Sequence, residues 1–216
     1  MTSGDVVAGQ LGGSIDFDGS DDRLNVSNGL TWADNRTVSL WMKPDTFGGG
    51  NLGRIYQVDA DDSDNDLLYL SSSGVARLEH NFNTADGRWD SDSVISSGLT
   101  TFTHLVVTHN NVSSDTSDST FYVNNASSSN DNTVPSGTYQ TPTQDLYIGN
   151  SNDTFDRGFD GEMDEVRIAS TTRTAAWIGA EYTNQATTTD FYTAAAYSAP
   201  ATQGITITGT LYENDG

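Results

Sequence analysis

One stretch late in the chain, GEMDEVRI at Gly161 to Ile168, constrains the fold more than any other. Read at a period of two, it is a β-strand with Glu162, Asp164, Val166 and Ile168 on one face and Met163, Glu165 and Arg167 on the other. A carboxylate among apolar neighbours is costly to bury unless hydrogen bonds or a metal hold it. Asp164 is therefore expected to reach a sheet edge, to ligate a cation, or to cap a turn through backbone N–H bonds.

The same period recurs along the chain. GGSIDFDGSDDRLNV alternates Ile15, Phe17, Leu24 and Val26 around the turn-rich FDGSDD, which predicts two short strands and a tight connection. In TVSLWMKP, Val38, Leu40 and Met42 oppose Ser39, Trp41 and Lys43, so the strand is expected to be covered on both faces, with Trp41 packed. RIYQVD, LLYLS, VARLEHNF, TFTHLVVTHN, STFYVNNA and DLYIGN supply further strands. NTADGRWDSDS reads as a polar stretch in which Trp89 has no periodic partner and is expected to be exposed. Thr174 to Gln185 is the one convincing helix, with Thr174 as N-cap and Trp177, Ile178 and Tyr182 on a common packing face. No internal repeat runs through the chain. Many short strands, frequent turn signals and one terminal helix predict an all-β fold, a two-sheet antiparallel sandwich.

Several of these motifs resemble one family. GEMDEVRI followed by WIGAEYTNQ, the opening FDGSDD, and the strands TFTHLVVTHN and DLYIGN are similar to stretches of laminin-G-like, concanavalin-A-type modules of bacterial or archaeal modular surface proteins. Asn125 stands where the family's Tyr-Val-Asn-Gly hairpin has glycine, and asparagine tolerates the positive φ that such a turn needs. The resemblance implies a concanavalin-A-like jelly roll over residues 1–192 with one short C-terminal helix. Residues 193–203, rich in Ala, Ser and Thr, are expected to be a linker, and residues 204–216 an orphan strand that starts a following module.

Charge narrows the partners. With 30 acidic and 9 basic residues the formal net charge is -21. Phosphate backbones need clustered lysine and arginine, so nucleic acid is excluded as a partner. The acidic surface suits neutral glycans, basic proteins or divalent cations, and it equally serves solubility or adaptation to salt. Cysteine is absent, and no stretch approaches the roughly 18 apolar residues of a membrane span. Asn-x-Ser/Thr sequons at Asn25, Asn35, Asn111, Asn125 and Asn152 are compatible with an extracellular or cell-surface location.

The chemistry-bearing patterns are incomplete. Asp62, Asp64 and Asp66 have the opening spacing of a calcium loop, but Leu67 replaces its glycine and Ser73 its bidentate glutamate. His80, His104 and His109 lie on two strands without cysteine, which argues against zinc. The family resemblance extends to laminarinase-type enzymes with Glu-x-Asp-x-Glu or Glu-x-Asp-x-x-Glu strands; Glu162 and Asp164 match, but Val166 or Arg167 falls on the third position. Retaining hydrolysis needs two carboxyl groups about the scissile bond. The resemblance also implies a structural Ca2+ between the opening loop and the late strand, carried to Asp18 and Asp164.

The leading expectation is a non-catalytic extracellular binding or adhesion module, chiefly for carbohydrate, whose partner is a glycan or a cell-surface or extracellular protein. Trp89, Tyr56 and Tyr69 are candidates for stacking on sugar rings, against core packing as the commoner fate of such residues. The alternatives are a glycoside hydrolase of the same fold, or a structural, self-assembling surface protein that forms homo-oligomers or filaments through the strand at 204–213.

Overall fold

The computed structural model describes residues 4–27, 35–58, 66–112, 114, 118–128, 130–142, 145–151 and 156–187. Asp62, Asp64, Asn152, the linker and the strand at 204–213 lie outside the described residues. Fourteen strands run in chain order: β1 (Val6–Ala8), β2 (Gly13–Asp18), β3 (Leu24–Val26), β4 (Arg36–Pro44), β5 (Leu52–Val58), β6 (Asp66–Ser71), β7 (Val75–His80), β8 (Gly87–Val94), β9 (Thr103–Asn110), β10 (Asp118–Val123), β11 (Ala126–Ser128), β12 (Asn130–Thr133), β13 (Leu146–Ile148) and β14 (Asp160–Ala169). Helix α1 (Ala175–Ala186) follows.

The strands form two antiparallel sheets of seven, ordered β1-β2-β14-β4-β9-β10-β11 and β12-β8-β7-β6-β5-β13-β3. Their inner faces enclose one core that includes Phe17, Leu40, Met42, Tyr56, Leu68, Leu78, Trp89, Leu105, Phe121 and Met163. This is a concanavalin-A-like jelly-roll sandwich, the architecture that the alternating pattern predicts. At the β10–β11 hairpin, Asn124 and Asn125 take φ of 49° and 65°. Two consecutive left-handed residues make the turn whose twist matches the flanking strands, so asparagine substitutes here for glycine.

Helix α1 lies across the outer face of the first sheet. The Thr174 side chain accepts from the Trp177 N–H at 3.3 Å, closing the N-terminus as expected. Trp41 points outward from β4 and is covered by the helix: its Nε1 donates to Gln185 Oε1 at 2.6 Å and its ring stacks on Tyr182 at 5.6 Å. Ile178 is fully buried, whereas Trp177 is 38% exposed. Trp177 therefore sits at the rim of the packing face that its spacing predicts.

Two sequence readings are corrected. Strand β14 does not keep strict alternation, because its pairing with β4 slips between Asp164 and Arg167 and Glu165 takes φ 53°. This β-bulge turns the chain, so Met163, Val166 and Ile168 all face the core while Asp164 faces away from it. Trp89, expected to be exposed, is fully buried in β8. Its strand hides the usual signal because its inward neighbours are small, Gly87 and Ser91. A Cβ on Gly87 would approach the Trp89 ring to 2.3 Å, so the glycine makes room for the indole.

A polar cluster bridges the sheets at one end of the core. Arg36 from the first sheet donates to Asp66 Oδ2 of the second at 2.5 Å. His80 Nδ1 meets the same oxygen at 2.9 Å, and Tyr56 donates to Asp66 Oδ1 at 2.8 Å. His80 Nε2 lies 3.2 Å from His109 Nε2 on the first sheet. His80 thus reaches both Asp66 and His109, with the Arg36 guanidinium against its ring. No helix among the described residues is long and apolar enough to cross a membrane.

The buried titratable groups define an acid limit. Burial holds His80 below the ordinary histidine value and His109 well below it, and burial together with Arg167 brings His104 to about 4. The fold thus keeps all three neutral, while the unfolded chain takes up protons below about pH 6.5. Stability present above that pH is lost as pH falls toward the folded values, by up to about 1.4 kcal/mol per pH unit for each proton. Burial would push Asp66 up, but Arg36 and His80 outweigh it and hold the carboxyl at about 2, so its contribution fades in the same direction at lower pH. His104 lies between Trp41 and Tyr182 with no hydrogen bond to either ring nitrogen, and the nearest Glu181 oxygen is 3.8 Å away. We expect His104→Phe to raise Tm at pH 7 and to flatten its decline from pH 6.5 to 4. Superimposable pH profiles for variant and wild type would remove His104 from this account.

Candidate functional site

The expected calcium pair is not brought together. Asp18 pairs with Asp160 across β2 and β14, whereas Asp164 lies four residues on, opposite Trp41. At the rise of a strand that separation is about 13 Å, too long for one ion to bridge. Asp18 stands instead with Asp21 and Asp22, in a corner where carboxylate oxygens lie within 4.8 Å of one another. Oxygens this close can share an ion at a calcium–oxygen distance of about 2.4 Å, so the three hard oxygen donors fit calcium. The loop is already shaped: Ser20 N donates to Asp18 Oδ1 at 2.8 Å, Asp18 N to Asp22 Oδ2 at 3.2 Å, and Asn150 Nδ2 to Ser20 O at 2.8 Å.

Asp164 takes the turn-capping role. Its Oδ2 accepts from the Leu11 N–H at 2.8 Å and fixes the turn between β1 and β2, which Gly9 N closes onto Gly12 O at 3.1 Å. A Cβ on Gly9 would lie 2.6 Å from that carboxylate oxygen, so the close approach requires glycine. Glu162 is also engaged, in an ion pair with Lys43 and as acceptor from Ser14 Oγ at 2.9 Å.

None of the three predicted stacking residues offers a free ring. Trp89 is 0% and Tyr56 1% exposed, both inside the core, and Tyr56 spends its hydroxyl on Asp66. Tyr69 points out of the second sheet but is only 5% exposed, because the guanidinium groups of Arg54 and Arg77 lie 4.7 and 5.5 Å from its ring centroid. The expectation of sugar stacking on these rings is therefore corrected: two are consumed by the core and one by cation–π contacts.

Around Tyr69 the outer face of the second sheet carries an interlocked polar lattice. Arg77 grips Asp90 through two hydrogen bonds, Nε to Oδ1 at 2.6 Å and Nη2 to Oδ2 at 2.7 Å. Arg88 binds the same carboxylate at 3.1 and 2.8 Å. Tyr69 donates to Glu79 at 2.8 Å and receives Arg77 Nη1 at 3.1 Å. Burial and Glu79 push the Tyr69 hydroxyl up to about 12, so it stays a donor, and Arg77 and Arg88 outweigh burial to hold Asp90 below the usual carboxylate range. At one side Arg23 lies 4.9 Å over the Tyr147 ring. The outward residues at the centre of this face, Gln57, Leu67 and Tyr69, are buried, and Arg77, Glu79, Arg88 and Asp90 around them are half-buried. Four of the nine basic residues of the chain are thus gathered on it. Sequence reasoning missed them; the available signal was arginine at alternate positions with acids, Arg77-x-Glu79 and Arg88-x-Asp90, in a chain so poor in cations.

Comparison with known proteins bears on the fold. A family model for the concanavalin A-like lectin/glucanases superfamily matches residues 18–179. No curated protein matches the chain in sequence. Among solved structures, domain 4 of AbnA, an extracellular GH43 arabinanase of Geobacillus stearothermophilus solved with arabinotriose, is 19% identical, with TM-score 0.59 over 81% of this chain and 78% of that one. The CBM40 of a Ruminococcus gnavus IT-sialidase, bound to α2,3 sialyllactose, is 10% identical, with TM-score 0.61 over 78% of this chain and 96% of that one. A heptameric SAP-like pentraxin from Limulus polyphemus is 16% identical, with TM-score 0.58 over 78% and 81% of the two chains.

The role of Asp164 gives a test. Asp164→Ala leaves the Leu11 N–H without its acceptor and should destabilise the fold by about 1–3 kcal/mol in denaturant unfolding. Asp164→Asn, which keeps an acceptor oxygen, should recover most of that loss. Equal stability of the alanine variant and wild type would refute the capping role.

Proposed function

Because the chain belongs to the concanavalin A-like lectin/glucanases superfamily, we propose that it is a non-catalytic carbohydrate-binding module that works outside the cell or at its surface. The observation that carries this reading is the polar lattice on the outer face of the second sheet. Sugar hydroxyls both donate and accept, and the face offers guanidinium donors beside carboxylate and phenol oxygens held in place by one another. Recognition here proceeds by hydrogen bonding, with the Tyr69 ring acting as a support for Arg54 and Arg77. The names of two structural neighbours, bound to arabinotriose and to sialyllactose, support a glycan as the ligand class. The non-catalytic part is supported by Glu162, whose carboxylate is occupied by Lys43 and Ser14, and by the turn-capping role of Asp164.

Calcium is the proposed stabilising ion, held by Asp18, Asp21 and Asp22. Bound there, it would neutralise three crowded carboxylates and tie the β2–β3 connection to the strand end beside Asn150. Assembly through residues 204–213 stays a proposal for the full chain. Identical monomeric masses for this chain and one truncated after Pro200 would end it.

A glycan array read with calcium present, followed by calorimetry on the best hit, tests the main reading. Arg88→Gln should weaken the hit by about 1.5–3 kcal/mol, roughly tenfold or more, without changing the fold. Absence of binding to any glycan would move the assignment to protein adhesion or a structural role. Release of reducing sugar that disappears in Glu162→Gln would make the protein an enzyme.

For the metal, chelation should lower Tm and added calcium restore it, since an ion bound by the folded state alone stabilises it by about 2.7 kcal/mol at a hundredfold excess over Kd. Asp21→Asn should abolish the response, while Asp164→Asn should keep it. An unchanged melting curve on chelation of the wild type would remove the ion.

A further inference from the structure

A second surface, on the opposite side of the sandwich, carries chemistry that neither the polar lattice nor the acidic corner uses. Where α1 crosses the first sheet it leaves a hollow of about 380 Å³ lined by Thr37, Ser39, Ile168, Arg167, Arg173 and Trp177. Past Trp177 lies a second hollow of about 280 Å³, walled by Glu181, Asn184 and Gln185 together with Arg167 and Trp177. Trp177 and Arg167 line both, so they stand between a compartment with Arg173 and one with Glu181 and Asn184.

The two arginines differ in what they are free to do. Arg167 is occupied by Glu181, at 2.7 Å, and by Glu165. Arg173 pairs with no carboxylate among the described residues. Its guanidinium carbon lies 4.7 Å from the Trp177 ring centroid, and its Nε is buried with no acceptor. A buried donor without an acceptor is a cost to the fold, of the kind found where a ligand supplies the missing oxygen. In a chain with 30 acidic residues it is notable that none occupies the first turn of α1, beside this arginine. That end of a helix carries partial positive charge, so an anion in the first hollow is favoured by the helix as well as by Arg173.

We propose that this groove binds an acidic oligosaccharide. The carboxylate of an acidic sugar lies at Arg173 in the first hollow, with its ring against Trp177. A neutral neighbouring unit occupies the second hollow, where Asn184 presents its amide to the sugar hydroxyls. A flat apolar edge next to a guanidinium suits a carboxylated sugar ring, and the divided groove suits at least two units. The inference does not rest on glycan binding at the polar lattice, because the two surfaces lie on opposite faces and share no residue.

The test uses the full chain and a disaccharide that contains glucuronic acid, beside the same disaccharide reduced at its carboxyl group. Calorimetry and tryptophan fluorescence should show binding of the acid, weakened at least about tenfold for the reduced sugar and weakened by salt. Arg173→Gln should bring the acid down to the level of the reduced sugar, with an unchanged circular dichroism spectrum, and Trp177→Ala should weaken both sugars. Arg88→Gln reports on the other face and serves to tell the two surfaces apart. Equal binding of acid and reduced sugar, no binding at millimolar concentration, or an acid affinity that responds to Arg88→Gln instead of Arg173→Gln would each overturn the proposal.

Discussion

The ion pair between Arg36 and Asp66 holds the two halves of this sandwich in register. Apolar packing between sheets is non-directional and tolerates sliding, whereas a buried charge must find its partner or the fold is heavily destabilised. Arg36 comes from the first sheet and Asp66 from the second, and His80, His109 and Tyr56 complete the set from both sides. The core beside this cluster can therefore assemble in one relative placement of the sheets. Much of the surface follows from that placement, since each strand that points a core residue inward must point its neighbour outward.

The two outward faces then have different fates. The first sheet is covered by α1, and its outward residues became part of a second packing layer: Trp41 against Tyr182, with Gln185 taking the indole N–H. The second sheet has outward positions that hold arginines, acids and tyrosines locked to one another. A lattice of this kind is rigid before any ligand arrives, which reduces the ordering cost of recognition. The same logic separates structure from function at the carboxylates. Asp164 and Glu162 are bonded to groups far off in the chain, whereas Asp18, Asp21 and Asp22 crowd together within one loop, whose backbone N–H groups Asp18 and Asp22 accept.

The distribution of cations is the thread that joins these surfaces. In an acidic chain most arginines are drawn into ion pairs, as Arg36, Arg77, Arg88 and Arg167 are. Arg173, turned onto an exposed tryptophan with a buried Nε unbonded, departs from that rule. Residues that break the local pattern of a fold without a structural return are where binding is to be sought.

The sequence alone determined the sandwich, the helix and its cap, and the asparagine turn. Each of these is written in local periodicity or in the conformational preference of one or two residues, which act over a few positions of chain. The membership of GEMDEVRI in a β-strand was equally legible. What period two could not reveal was the bulge at Glu165, because an extra residue is accommodated only when a partner strand fixes the register on either side. That single insertion put Val166 and Ile168 on the core face, opposite to Asp164, while the pairing of Asp160 with Asp18 set Asp164 apart from Asp18. Tertiary structure also decided which aromatics were available: Trp89 was buried by the space Gly87 leaves, and Tyr69 was covered by arginines from adjoining strands. Exposure is a property of what packs against a residue, and those neighbours come from distant parts of the chain.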